Sequence, residues 1–100
     1  MEITEVKVTL VDDPKLKAFA TITIDGEFVV RGLKIINGRT GTFIAMPARK
    51  LADGSWQDIA HPINAETRIT LERAVLSVFR DECGRAKQET GDDPGIESTG

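Results

Sequence analysis

One hundred residues with a formal net charge of −3 and 40% apolar residues describe a single globular domain with a small core. No apolar run is long enough to cross a bilayer, and the opening MEITEVKV alternates and carries acids where a signal peptide has cations and an apolar block, so a cytoplasmic location is expected. One cysteine, Cys83, and one histidine, His61, exclude an internal disulfide and a Cys/His zinc site; no metal and no cofactor is expected.

In chain order, Val6, Val8 and Leu10 alternate with Lys7 and Thr9, and Ala18, Ala20, Ile22 and Ile24 alternate with Phe19, Thr21 and Thr23. This period of two predicts two half-buried strands joined around Asp12-Asp13-Pro14. Asp25-Gly26 marks a tight hairpin. In the third strand the apolar phase starts on Phe28 and Val30 and resumes on Leu33 and Ile35, a one-residue slip at Arg31-Gly32 that a bulge absorbs. Asn37-Gly38 closes that strand, Thr42 to Met46 forms the next, and a short fifth strand from Ser55 to about Ile59 returns after the turn signal Asp53-Gly54. Pro47 has no N–H to donate, so the chain there lies at a sheet edge or leaves the ladder.

The single helix is predicted to start after the N-cap residue Asn64, with Glu66 in the first turn. At 100° per residue, Leu71, Ala74, Val75, Val78 and Phe79 form one apolar face, widened by Ile69 and Leu76, while Arg73, Ser77 and Arg80 fall opposite. Gly84 either caps the helix or is carried through it. The expected fold is α+β: an antiparallel meander of about five strands with one C-terminal helix packed on it, as a single domain over residues 1–88. The stretch 89–100 is rich in Gly and acids and is expected to be a disordered tail.

Charge is unevenly spread. Glu89, Asp92, Asp93 and Glu97 lie in that tail without a cation, so residues 1–88 hold thirteen cations against twelve anions. The stretch from Val29 to Arg80 holds eight cations against four anions. Such a balance suits weak, salt-sensitive binding of nucleic acid rather than a tight electrostatic clamp.

Within TFIAMPARKLADGSWQDIAHPIN, residues 42–64, two cations and an aromatic, Arg49, Lys50 and Trp56, are predicted to project from one basic hairpin, a combination suited to holding phosphate and stacking on a base. The alternatives are a solvated hairpin tip for Arg49 and Lys50, a core-capping role for Trp56, and a solvated helix face for Arg73 and Arg80. His61 reads as a structural histidine, Asp53 and Asp58 as turn and strand-end residues, and Gly38-Arg39-Thr40-Gly41 as a plain turn. Cys83 reads as a small, partly buried apolar residue. No nucleophile, base and orienter converge in the sequence, so an enzyme is not expected.

This stretch, with DGEFVVRGLKIINGRTG before it, resembles the stage V sporulation protein G family (SpoVG, also called septation protein), whose pattern there is close to MPS-K-R-x-x-D-G-x-F-R-D-I-A-H-P-I. The resemblance covers roughly residues 1–80, with departures at Ala48, the reversed Arg49-Lys50, Trp56 and Gln57. It implies a small dimeric bacterial regulator that binds DNA and RNA through basic residues near a C-terminal helix. By position it implicates Arg49 and Lys50, and by region Arg68, Arg73 and Arg80. The function expected is therefore that of a nucleic-acid-binding homodimer acting in sporulation, septation or gene expression, without a membrane partner. The alternative is a protein-interaction adaptor in a cell-division or regulatory complex, its cations serving solubility alone.

Overall fold

Strand-forming alternation and turn chemistry divide the chain into β1 (Ile3–Leu10), β2 (Leu16–Ile24), β3 (Phe28–Gly38), β4 (Gly41–Ala45), β5 (Ala48–Lys50) and β6 (Trp56–Asp58), followed by α1 (Ala65–Thr90). The structure, a computed structural model, describes residues 1–90, with side chains described through Ala86. Of the expected acidic tail, Glu89 and Thr90 belong to α1, and residues 91–100 lie outside the described residues.

β1 to β4 form a four-stranded antiparallel meander in chain order, whereas β5 and β6 form a two-stranded ribbon of their own. The α+β class, the antiparallel sheet and the C-terminal helix, the one helix among the described residues, are as the sequence predicts. The described residues hold six strands where about five are expected, because Ala48–Lys50 pairs with the returning arm at Trp56–Asp58 and neither joins the main sheet. Pro47 sits at the break between the two sheets. Its carbonyl accepts a hydrogen bond from the Ile59 N–H at 2.7 Å, which closes the base of the ribbon.

The turns follow from local chemistry. Asp25 and Gly26 both lie at positive φ, 53° and 66°, as a type I′ turn requires, and the Glu27 N–H donates to the Ile24 carbonyl at 2.9 Å. Asp25 also ties down the chain start, its carboxylate accepting from the Glu2 N–H at 2.8 Å. The predicted slip in β3 is a bulge. Ala20 pairs with Leu33 and Ile22 with Val30, so Arg31 and Gly32 together oppose Thr21, with Gly32 at φ 86°. Arg39 and Thr40 form a plain turn between the paired Gly38 and Gly41.

The bulge keeps Ile22, Val30, Leu33 and Ile35 on one face of the sheet. There Ala18, Ala20, Ile22, Leu33, Ile35 and Ile44 meet Met46 and the helical Leu71 and Val75 in one core. Ile22, Leu33, Ile35 and Val75 are fully buried, each contributing about 1.5–3 kcal/mol of transfer free energy. α1 lies mainly across β1, with Val6, Val8, Leu10, Leu76 and Phe79 packed around the core. The Asn64 side chain caps this helix by accepting from the Thr67 N–H at 2.7 Å. Ile69, placed at the edge of the apolar face, is 48% exposed.

The helix does not stop at Gly84. It runs 26 residues to Thr90, with Arg85 bridging back to Glu82 at 2.9 Å across the glycine. On the second face of the sheet Thr9, Phe19, Lys34 and Phe43 stand exposed. Among the described residues no helix is long and apolar enough to cross a membrane.

Candidate nucleic-acid interface

The ribbon tip is built by Asp53. Its carboxylate accepts from both the N–H and the hydroxyl of Ser55, at 2.9 and 2.6 Å, while the Gly54 N–H donates to the Leu51 carbonyl at 3.0 Å with Gly54 at φ 90°. The Ser55 hydroxyl and then its N–H hold the Asp53 carboxyl below the usual carboxylate range. Asp13 is lowered the same way, by the N–H groups of Leu16 and then Lys15 in the β1–β2 turn. Both carboxylates act as turn residues. His61 is exposed, and its Nδ1 lies 3.0 Å from the Pro62 carbonyl.

Register decides what the ribbon displays. Ala48 pairs with Asp58, Arg49 with Gln57 and Lys50 with Trp56. Because neighbours in a strand point to opposite faces, Lys50 shares a face with Trp56, Ala48 and Asp58, and Arg49 projects from the other face with Gln57. The two adjacent cations are therefore split by the pleat, while Lys50 and the indole stand side by side. Trp56 is 65% exposed, so it does not cap the core.

The Trp56 face of the ribbon looks across an open cleft of about 660 Å³ toward the main sheet. Arg31 and Lys34 from β3 and Arg68 from the first turns of α1 line it, with Trp56, Asp58 and Ile59 on the ribbon side. Arg68 leans on Glu72 one turn on, at 3.6 Å, which takes up part of its charge; Arg31, Lys34 and Lys50 form no ion pair with a described residue. Of the six residues singled out in the sequence, the fold brings Trp56 and Arg68 into the cleft, sets Lys50 beside it and turns Arg49 away from it. Arg73 and Arg80 stand exposed on α1 and do not line it. Arg31 and Lys34 were missed. They precede the hairpin by more than a dozen residues, and their one sequence signal is the phase slip that bulges Arg31 out of the ladder.

Among the described residues no three His, Cys, Asp or Glu side chains gather as a metal site, and Cys83 is half-buried in the helix.

The family model described as SpoVG matches residues 1–81, which span all six strands and the packed part of α1. The chain belongs to the SpoVG family. Among its SpoVG relatives, a protein from an Anaeromyxobacter species, named as a septation protein, is 55% identical over 93 residues, 91% of this chain and 96% of the relative. One from Myxococcus xanthus, named likewise, is 52% identical over 87 residues, covering 87% of this chain and 88% of its own length. One of the same name from Listeria innocua is 42% identical over 100 residues, 97% and 98% of the two chains. These relatives carry the names of septation proteins, not of enzymes.

Proposed function

We propose that this SpoVG-family chain is a non-enzymatic, cytoplasmic regulator that binds nucleic acid as a homodimer and serves the septation or sporulation processes for which its relatives are named. The observation that carries this reading is the cleft, in which an exposed indole faces Arg31, Lys34 and Arg68 from two other elements, with Lys50 beside it. Cations gathered around one cleft can contact the phosphates of a strand, and an aromatic among them suits an unpaired base. Arg49 on the outer ribbon face and Arg73 and Arg80 on the helix extend the contact where a strand or a second copy wraps around.

Few cations face the cleft in one copy, so two copies are needed to hold nucleic acid at physiological salt. Among the described residues β1 and β4 each leave one edge unpaired, and Phe28, Ile59 and Ile63 are exposed, giving a dimer both edge and apolar area to cover. Ile63, 89% exposed, also favours a second reading, an adaptor that docks a protein partner through this connector. Filter binding of labelled RNA and DNA at two salt concentrations separates the two. Affinity that falls with salt supports the regulator, and no retention at low salt refutes it.

A further inference from the structure

The bare face of the main sheet carries chemistry that the cleft alone does not use. Alternation places Thr9, Phe19, Lys34 and Ala45 in one row across the four strands, with Ile36 and Phe43 paired two residues further along. Phe19 is 42% exposed and Phe43 is 48% exposed, high values for aromatics in the middle of strands. The Phe43 ring is not loose. A Cβ on Gly38 would stand 2.9 Å from its Cε1, so the ring edge is seated in the notch this glycine leaves, directing the rest of the ring outward. Lys34 lies between the two rings and also lines the cleft, which makes face and cleft one continuous surface.

The charge on this face is net positive. Arg31 and Lys34 stand without an acid partner among the described residues; Glu5 on this face lies 4.0 Å from Lys7, and Asp58 lines the adjoining cleft. Thr9, Thr21 and Thr23 point from the same face and supply hydroxyls that both donate and accept.

We propose that this sheet face binds single-stranded RNA, with Phe19 and Phe43 as stacking platforms for two bases, Lys34 on the phosphate between them, Arg31 on the backbone beyond Phe19, and the threonine hydroxyls against ribose 2′-OH groups. The proposal rests on the nucleic-acid reading above and specifies its ligand. Strand spacing and rise put the two rings about 12 Å apart, two strands across and two residues along. Bases stacked within a duplex lie about 3.4 Å apart and are paired, so rings set flush on a sheet reach them only in an unpaired, splayed strand. Net positive charge matches the backbone of that strand, and hydroxyl rows distinguish RNA from DNA.

The experiment is fluorescence anisotropy of a labelled 12-nucleotide RNA, the DNA strand of the same sequence and a DNA duplex, against the full chain and its variants. Phe19→Leu with Phe43→Leu is expected to weaken RNA binding roughly tenfold or more while leaving the salt slope and duplex binding unchanged, since stacking releases no counterions. Phe19→Tyr with Phe43→Tyr keeps the rings and is expected to retain affinity, separating stacking from a folding defect. Unchanged RNA affinity in the leucine pair, with Lys50→Ala still weakening it, overturns the face and leaves the cleft. A wild-type chain that binds none of the three probes overturns both. Equal affinity for the DNA strand overturns the assignment to RNA, and leucine variants that alter only the oligomeric state show that a second copy covers this face.

Discussion

Replacing Lys34 and Lys50 together by alanine counts phosphate contacts in the cleft. Each contact contributes about 0.7 to the log–log salt slope on a single strand and about 0.9 on duplex DNA. Arg31, Lys34 and Lys50 have no acid partner among the described residues and count in full, whereas Arg68 shares its charge with Glu72 and counts for less. One copy thus gives a slope of about −2 on a single strand, so moving from about 50 to about 200 mM salt weakens binding about twentyfold. The double variant keeps one full contact, a slope of about −0.7 and about a threefold change over that range. Two copies on one strand double every slope, so the wild-type value also reads the stoichiometry. Filter binding across a potassium chloride series measures this directly, with Arg49→Ala as the comparison from the other ribbon face, expected to flatten the slope less than the double change. A double variant with the wild-type slope, or an Arg49→Ala chain that loses as much, refutes the geometry.

Light scattering at micromolar concentration is expected to report a dimer; a monomer removes the two-copy argument. Leu71→Ala opens the core beneath α1 and is expected to cost about 2–5 kcal/mol in denaturant melts, against which a cost below about 1 kcal/mol would place Leu71 outside the core. Asn64→Ala loses the side-chain cap on the Thr67 N–H, for about 1 kcal/mol, while Asn64→Gly costs only a few tenths. Asp53 and Asp13 both have folded pKa values below the ordinary 3.8, so their contribution is complete above that value and is lost as the pH falls through the lower folded values. Thermal melts from neutral pH into this acid window are expected to show a smaller stability loss for Asp53→Asn than for wild type, and parallel curves would contradict the turn hydrogen bonds.

Much of the fold is local chemistry and was legible in the residues. The strand phases, the Asp25-Gly26 turn, the slip at Arg31-Gly32 and the Asn64 cap each depend on neighbours a few positions apart, and each is found where the pattern puts it. What escaped depends on choices between near-equal partners. Glycine costs about 1 kcal/mol in a helix, yet Gly84 is spanned by the Arg85–Glu82 pair and by Ala86, Lys87 and Gln88, all good helix formers, so α1 continues. The ribbon separates from the sheet because Pro47 withholds a donor, a fact visible in sequence, but its pairing with Ile59 is decided by closure of the loop. For the candidate site, the hairpin residues were visible as a cluster, while the register that splits Arg49 from Lys50 and the topology that adds Arg31 and Lys34 emerge only in three dimensions.

The extra residue in β3 also sets rules for how this chain can change length. Removing Gly32 would leave Arg31 alone opposite Thr21 in a regular ladder, with Leu33 and Ile35 still facing the core and the local bend of the bulge lost. The regular ladder from Leu33 to Ile36 has no such slack, and one residue added or removed there turns the side chains beyond it to the opposite face. Insertions are instead absorbed at the turns around Gly26, Thr40 and Gly54, where no core side chain depends on the count. An alignment of the family is therefore expected to carry its gaps at those three tips or at the bulge, with the interval from Leu33 to Ile36 held at constant length even where its residues differ.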